Sequence, residues 1–307
     1  MKKTEMILQE VQKAVVGKEE ILKKVLMVML AKGHILLEDI PGVGKTTIAV
    51  AFSKAMSLHT RRIQFTVDVL PSDVVGFTSL DHETGKLRLH EGAIFCNIFL
   101  ADEINRTSSK TQAALLEVME EGNITVDGFT QKALAPFCVI ATQNPFGSAG
   151  TQLLPESQMD RFMVRMSIGY PSPQDEIDIL KRKSDHDPMQ DVMAVVSVDD
   201  ILMMQKEVEK VYVHDALLDY MVSLVNATRN HPQILQGASP RASISLLQLA
   251  KANAYVHDRD YVIPRDIQSI LFDVLGHRII MQNDNDRSHV EAVLTQIRNE
   301  TPVPKGE

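Results

Sequence analysis

The sequence predicts an α/β domain built on a parallel sheet, followed by a smaller helical domain. Over residues 1–171, short apolar runs alternate with longer helical patterns. Such alternation is typical of a parallel sheet that is covered by helices on both faces. After Pro171 the pattern becomes helical. We therefore assign residues 1–171 to the α/β domain and residues 172–307 to the helical domain.

The first domain contains four apolar runs that we interpret as strands. They are Ile35-Leu36-Leu37, Ile63-Gln64-Phe65, Ile98-Phe99-Leu100 and Val139-Ile140-Ala141. Helical periodicity predicts helices over 47–58 and 110–121. Two stretches interrupt the alternation, at 80–89 and 123–132, and both are predicted to be β-hairpins. The second contains Asp127-Gly128, a dipeptide that favours a two-residue hairpin turn.

The second domain begins with a helix start signal. Ser172 is a suitable cap, Pro173 suits the first turn, and Asp175 places an acid near the positive end of the helix dipole. Helical periodicity follows over 198–211, 215–230, 242–257 and 264–281. No strand of comparable strength is predicted in this domain.

Composition favours a water-soluble protein. Of the 307 residues, 44% are apolar and 23% are charged, and no apolar run reaches the roughly 18 residues that span a bilayer. The polar helical pattern after Met1-Lys2-Lys3 does not resemble a signal peptide, so we predict a cytoplasmic protein without membrane insertion. The net charge of −8 and the lack of a long basic run argue against nucleic acid as a partner.

A phosphate-binding loop is predicted between the first apolar run and the helix that follows it. Glycines let such a loop turn its N–H groups toward a phosphate, and the helix N-terminus adds its positive end. Lys45 supplies a cation for the β- and γ-phosphates, and the Thr46 hydroxyl can bind Mg²⁺. The predicted ligand-binding residues of this loop are Pro41, Gly42, Val43, Gly44, Lys45, Thr46 and Thr47.

Two carboxylates follow the third apolar run. Because the carboxyl ends of parallel strands meet at one edge of a sheet, Asp102 and Glu103 are expected at the same edge as the phosphate loop. There Asp102 would hold hydrated Mg²⁺ and Glu103 would polarise the attacking water. The alternative is a solvated strand end without a catalytic role.

The fourth apolar run is followed by Thr142-Gln143-Asn144-Pro145. Asn144 could donate a hydrogen bond to the γ-phosphate or to the attacking water. It could equally form the turn before Pro145, which Asn does well.

In this order, the motifs resemble those of the AAA+ ATPases, and closely those of the MoxR family, over almost the whole chain. Asp39 stands where the usual phosphate-loop pattern begins with Gly, a position that varies in this family. The resemblance rests on residues 38–46, 65–73, 101–106, 143–145, 154–162, 237–242, 259–262 and 301–304.

The resemblance implies an AAA+ P-loop core with a five-stranded parallel sheet and two inserted hairpins, followed by a small all-α lid domain. It also implies that the protein assembles as a homo-oligomeric ring, which in this family is expected to be a hexamer. Asn144 matches a sensor of the γ-phosphate, Arg161 the arginine finger that enters the neighbouring subunit's site, and Arg241 a second sensor on the lid. The segment Val15-Val16-Gly17 matches the one that packs on adenine.

Two of these arginines can also be interpreted from the residues around them. Ser239-Pro240 is a cap followed by a first-turn proline, so Arg241 lies in the first turn of a helix, from which a guanidinium can reach phosphates. Arg161 could instead form a local ion pair with Asp160, a contact of little energetic value. Arg165 and Arg106 are further candidates for the finger.

The predicted activity is ATP hydrolysis with Mg²⁺. The resemblance implies that hydrolysis drives chaperone-like remodelling or maturation of a protein client, including metal-cofactor insertion, with partners that carry a von Willebrand factor A domain. One alternative is a nucleic-acid-stimulated motor, which would need basic hairpin tips. Another is a nucleotide-gated scaffold with little turnover, against which the intact Glu103 and Asn144 argue.

Overall fold

The computed structural model describes residues 2–38, 42–81, 83, 85–143, 154–282 and 286–304. The chain forms two compact units, and neither is a continuous stretch of sequence. The first unit comprises residues 1–23, 34–154 and 167–202, and the second comprises residues 24–33, 155–166 and 203–307. The single domain boundary at residue 171 stays a prediction.

In chain order, the helices and strands are α1 (Lys3–Ala14), α2 (Glu19–Leu30), β1 (Ile35–Glu38), α3 (Lys45–Ala55), β2 (Thr60–Gln64), α4 (Pro71–Val75), β3 (Gly76–Leu80), β4 (Leu87–Glu91), β5 (Ile98–Asp102), α5 (Ser109–Glu121), β6 (Asn123–Val126), β7 (Phe129–Lys132), β8 (Cys138–Gln143), α6 (Glu156–Met159), β9 (Val164–Met166), α7 (Pro173–Asp185), α8 (Val198–Lys210), α9 (Asp215–Asn230), β10 (Ile234–Gln236), α10 (Pro240–Val256), α11 (Pro264–Gln268), α12 (Leu271–Leu275), β11 (Ile280–Met281) and α13 (Arg287–Glu300).

A five-stranded sheet with the order β2-β5-β8-β1-β9 forms the centre of the fold. The pairs β2–β5, β5–β8 and β8–β1 are parallel. In the register, Leu100 lies between Arg62 on one side and Ile140 on the other. The predicted α/β fold class with a five-stranded sheet is confirmed, and β9 is a strand that the apolar runs did not indicate.

The central strands β1, β5 and β8 are apolar up to their last one or two residues because both of their faces are covered. Each residue of the runs at 35–37, 98–100 and 139–141 is at most 1% exposed. β2 lies at the edge of the sheet, and its residues are half-buried or exposed. Burial on both faces fixes the register of the central strands. Because β1, β5 and β8 are parallel, their carboxyl ends meet at one edge of the sheet.

Both predicted hairpins are present. β3 pairs with β4, and β6 pairs with β7, each in antiparallel register. In the second hairpin Asp127 and Gly128 have φ angles of 45° and 86°, the left-handed values that a tight two-residue turn requires. The backbone N–H and the hydroxyl of Thr78 both donate to the Asp127 carboxylate, at 3.1 and 2.8 Å, so the two hairpins are hydrogen-bonded to each other.

The second unit is mainly helical. The predicted helices over 198–211, 215–230 and 242–257 are confirmed as α8, α9 and α10, and α9 has its predicted bounds. The all-α expectation is corrected in one place, since β10 and β11 form a short antiparallel pair. The predicted helix over 264–281 is wrong as a single element: it is divided into α11, α12 and β11. None of the helices in the described ranges is both long and apolar enough to cross a bilayer.

A buried histidine makes the first unit sensitive to acid. His34 Nε2 donates to the Met119 carbonyl at 3.1 Å, and its Nδ1 accepts from the Val139 N–H at 3.0 Å. Burial lowers the pKa of His34 to about 4. Between the ordinary pKa of about 6.5 and this value the unfolded chain binds a proton that the folded chain excludes. Stability is therefore lost as the pH falls through this window.

We expect the free energy of unfolding to fall by about 2 kcal/mol from His34 alone between roughly pH 7 and pH 5. Urea titrations at the two pH values measure this difference. His277, which is also buried with a lowered pKa, adds a loss of the same sign in the second unit. The His34→Gln variant is the control, because it should lose part of the pH dependence. An unchanged pH dependence in that variant would contradict the assignment.

Candidate functional site

The predicted phosphate loop borders a cavity at the edge of the sheet. Gly42 and Gly44 have φ angles of 91° and 94°, which residues with a side chain rarely adopt, and α3 begins directly after Gly44. Val43 lies between these glycines. The cavity has a volume of about 280 Å³. It is lined by Gly42, Gly44, Lys45, Thr46, Thr47, Arg62, Gln64, Asp102, Glu103 and Thr142.

The two predicted carboxylates are thus at the same cavity as Lys45. Asp102 is the last residue of β5 and is 6% exposed. Its Oδ1 accepts a hydrogen bond from the Thr142 hydroxyl at 3.3 Å, and its Oδ2 accepts from Arg62 Nε at 2.6 Å. Hydroxyl and carboxylate oxygens, as at Thr46 and Asp102, are the ligands that Mg²⁺ prefers. The donor set therefore suits a magnesium ion.

Glu103 is held in an unusual backbone conformation. Its φ is 55°, in the left-handed region that a residue with a side chain adopts only when its surroundings enforce it. The Glu103 N–H donates to the Thr142 hydroxyl at 2.9 Å, and its carboxylate accepts from Arg106 at 2.7 Å. The Glu103 side chain is 22% exposed and lines the cavity while it is paired with Arg106.

Three polar lining residues were missed at the sequence level. Arg62 and Gln64 lie on β2, and Thr142 lies on β8. All three line the same cavity as Asp102 and Glu103 because β2 and β8 are the two neighbours of β5 in the sheet. That strand order is not sequential, so no local pattern in the sequence indicates it. Thr142 carries the clearest signal, since it directly precedes the Gln143-Asn144-Pro145 motif.

A second cavity, of about 290 Å³, adjoins the first. The two cavities share Thr46 and Thr47 as lining residues. Val16, from the segment that the resemblance matches to an adenine contact, lines the second cavity. The other lining residues are Ala14, Val50, Ile179, Arg182, Lys183, Asp187, Pro188 and Met189. The residues from 179 onward were missed, because only the folded chain brings α7 beside α3.

The backbone directly after Val16 adopts a conformation that requires glycine at position 17. Gly17 has a φ of 68°, and a Cβ at this position would overlap the carboxylate of Asp175. Asp175 itself belongs to the capping box at the start of α7, where it accepts from the Ser172 hydroxyl at 2.7 Å. No residue other than glycine fits here without displacing this capping box.

Two predicted site residues, Pro41 and Asn144, lie outside the described residues. β8, which precedes Asn144 in the sequence, lies between β5 and β1.

The two predicted arginines lie in the second unit. Ser239 caps α10 by accepting from the Arg241 N–H at 3.2 Å, as its sequence context predicts. The Arg241 guanidinium is 3.8 Å from the Asp160 carboxylate. Arg161, which follows Asp160, is half-buried. The structure thus places both arginines beside the same residue, Asp160.

Comparisons with known proteins agree with this arrangement. Residues 34–164 match the ATPase family associated with various cellular activities (AAA), and residues 226–297 match the AAA lid domain. The chain is 44% identical to the uncharacterized protein YeaC of Bacillus subtilis, a match that covers 96% of this chain and 93% of YeaC. It is 38% identical to the chaperone MoxR1 of Mycobacterium tuberculosis, over 96% of this chain and 81% of MoxR1.

A solved structure has the same fold. The crystal structure of a proposed ATPase from Cytophaga hutchinsonii superposes with a TM-score of 0.92 at 37% identity, and the match covers 99% of this chain and 95% of that one. The α/β core and the helical second unit therefore occur together in a related protein. On the strength of these relatives and of the matched AAA and lid regions, this chain belongs to the MoxR family of AAA+ ATPases.

Proposed function

We propose that the chain binds Mg-ATP in the two adjoining cavities and hydrolyses it with Glu103. The observation that carries this proposal is that Lys45, Thr46, Asp102 and Glu103 all line one cavity of about 280 Å³. In an AAA+ ATPase these residue types are the cation, hydroxyl and carboxylates that phosphoryl transfer requires.

Each residue at the phosphate end has a distinct role in this proposal. Lys45 is a point charge for the β- and γ-phosphates, and the residues from Gly42 to Thr47 supply N–H donors for them, with Pro41 shaping the start of the loop. Thr46 and Asp102 would hold Mg²⁺, Asp102 partly through water. When bound, Mg²⁺ supplies positive charge that neutralises the phosphate oxygens.

Glu103 is the proposed general base. Its carboxylate lines the cavity together with Lys45 and Thr46, and the Arg106 contact orients it. A carboxylate in this position can accept a proton from a water that attacks the γ-phosphate. The proposed role of Asn144 is to hydrogen-bond that water or the γ-phosphate.

The second cavity is the proposed site of the adenine base. Its lining includes the apolar side chains of Val16, Val50, Ile179, Pro188 and Met189, which suit the faces of a flat heterocycle. Thr46 and Thr47 line both cavities, so the proposed adenine site is adjacent to the proposed phosphate site.

We further propose that the protein works as a homo-oligomeric ring, with six subunits. Arg161 would enter the neighbouring subunit's site as an arginine finger, and Arg241 would contact the nucleotide of its own subunit. The support is that both match the family's positions, and that both lie on a rigid, hydrogen-bonded part of the second unit.

The proposed biological role is chaperone-like remodelling or maturation of a protein client in the cytoplasm, including insertion of a metal cofactor. Its support is the name of a 38% identical relative, chaperone MoxR1. A partner with a von Willebrand factor A domain is part of the same proposal.

The Lys45→Ala variant tests the site directly. We expect it to bind ATP roughly 10- to 100-fold more weakly, because it loses a charge-assisted contact with the phosphates. Titration with a fluorescent ATP analogue measures the affinity. The matched control is Lys110→Ala, which removes an exposed lysine at the start of α5 and should leave the affinity unchanged. Equal affinity in Lys45→Ala and in the unmutated protein would overturn the proposed site.

The Gly17→Ala variant tests the base end of the site. The added methyl group meets Asp175 and strains the backbone, so the segment with Val16 must shift. We expect ATP affinity to fall by about 10-fold, the effect of losing 1–2 kcal/mol of contact. Inorganic tripolyphosphate, which lacks the base, serves as the control ligand and should bind both proteins alike. An equal loss for both ligands would place the effect of Gly17 at the phosphate end.

A further inference from the structure

A buried arginine in the second unit holds the chain on both sides of Arg161. The side chain of Arg278 is 1% exposed. Its Nη2 donates to the carbonyl of Asp160 at 3.2 Å and to the carbonyl of Phe162 at 2.7 Å. Its Nη1 donates to the Met163 carbonyl at 3.1 Å. The carbonyls before and after Arg161 are therefore bound by one guanidinium, which fixes the backbone from which Arg161 projects.

The carboxylate of Asp160 connects this segment to the start of α10. Its Oδ1 accepts from Arg278 Nε at 2.8 Å, and its Oδ2 accepts from the Ser239 hydroxyl at 2.9 Å. The Arg241 guanidinium lies 3.8 Å from the same Oδ2. Ser239 is also the cap of α10, which carries Arg241 in its first turn. The bond from Ser239 thus joins the turn that bears Arg241 to the segment that bears Arg161.

This arrangement leaves the Asp160 carboxylate little freedom. Each of its oxygens has a donor, and the two donors come from different parts of the unit, Arg278 from the segment after α12 and Ser239 from the start of α10. Charge-assisted hydrogen bonds of this kind are directional and stronger than neutral ones. A displacement at the start of α10 is therefore passed to Asp160 and on to the adjoining Arg161.

We propose that Asp160 is a positioning residue that sets the placement of Arg161 through its bond with Ser239, and so couples Arg161 to Arg241. This inference rests on the proposed function, in which Arg161 serves the neighbouring subunit and Arg241 serves its own. The nucleotide state that Arg241 senses in one subunit would then change the finger that the same subunit offers to the next.

Two substitutions of Ser239 separate this role from simple capping. Asn, Asp and Ser are equally good helix caps, so Ser239→Asn and Ser239→Asp both preserve the start of α10. Asn keeps an N–H donor for the Asp160 carboxylate. Asp has no donor at neutral pH and places a like charge against Asp160. Only Ser239→Asp should therefore disturb the position of Arg161.

The finger can be measured alone by subunit mixing. An Arg161→Ala subunit has its own Lys45 and Glu103 but offers no finger. It is mixed with Glu103→Gln subunits that carry Ser, Asn or Asp at position 239. Since the Glu103→Gln sites are inactive, all restored ATPase activity arises at the Arg161→Ala sites, and it reports only the partner's finger.

We expect Ser239→Asp to lower the restored activity by at least about 10-fold relative to Ser239 and Ser239→Asn, the size of a single lost positioning contact. Light scattering should show mixed assemblies of equal size in all three arms. Equal restored activity, or a smaller assembly with Ser239→Asp, would overturn the positioning role. If the arm with Ser239 itself restores nothing, the trans-acting finger is wrong, and this inference falls with it.

Discussion

The Arg161→Ala variant should bind ATP normally but hydrolyse it roughly 10³-fold more slowly, the scale known for arginine fingers. In the proposed ring each subunit keeps its own Lys45 and Glu103 and loses only the guanidinium that it offers to its neighbour. Steady-state phosphate release measures turnover, and titration with a fluorescent ATP analogue measures binding. A parallel loss of ATP affinity would place Arg161 in its own subunit's site.

Mixing tests whether the finger acts between subunits. Arg161→Ala and Glu103→Gln subunits are each expected to be inactive, but side by side they form a site with a working base and a working finger. Activity should therefore rise when the two are mixed. If mixing restores nothing, the assignment moves to Arg165 or Arg106. Both already donate within their own chain, Arg106 to the Glu103 carboxylate at 2.7 Å and Arg165 to the Gly276 carbonyl at 2.9 Å.

The second large effect is expected at the general base. Glu103→Gln should hydrolyse ATP at least about 100-fold more slowly, the usual effect of removing such a base. ATP binding should be retained, because the amide has the size of the carboxylate and its oxygen can still accept from Arg106. Single-turnover conversion of ATP to ADP measures the chemical step.

The matched control for this variant is Glu117→Gln, an exposed position on α5. It should turn ATP over at the unmutated rate. If Glu103→Gln also turned over at that rate, another group would activate the water, and the left-handed backbone of Glu103 would have no catalytic meaning.

Much of the first unit could be predicted because its signals are local. The buried strands are apolar on both faces, so their sequence runs mark them directly. The turn at Asp127-Gly128 needs two left-handed residues, which restricts the sequence to a few dipeptides. The order of Lys45, Asp102 and Glu103 along the chain was enough to predict that they meet, since they follow parallel strands.

The predicted helix over 264–281 is interrupted by a contact from outside the segment, with a residue 13 positions earlier in the chain. Asn253, on α10, donates to the Asp266 carbonyl at 3.1 Å. In a continuous helix that carbonyl would accept from the N–H of Ile270, which bonds instead to the Ile267 carbonyl at 3.4 Å. The helix therefore ends, and the later residues pair with β10. No residue between 264 and 270 signals this interruption, whereas Gly276, which directly follows α12, is a recognisable stop signal.

Only part of the site could be predicted, because some of its residues are brought together by contacts between elements and not by a local motif. The loop and the acidic pair are local motifs, whereas Arg62 and the residues of the second cavity from α7 depend on which elements are neighbours in space. The hydrogen bonds around Asp160 could not be predicted at all from local sequence, since Arg278 lies 118 positions from Asp160 along the chain.

Nucleotide analysis of quenched reactions tests whether this chain converts ATP to ADP at the cavity around Lys45. The purified protein and Lys45→Ala are each incubated with excess Mg-ATP under the same conditions. We expect repeated formation of ADP by the unmutated protein and almost none by the variant, because Lys45 neutralises charge on the γ-phosphate during its transfer as well as in binding. Intact ATP in both reactions, or equal ADP in both, would contradict ATP hydrolysis at this cavity.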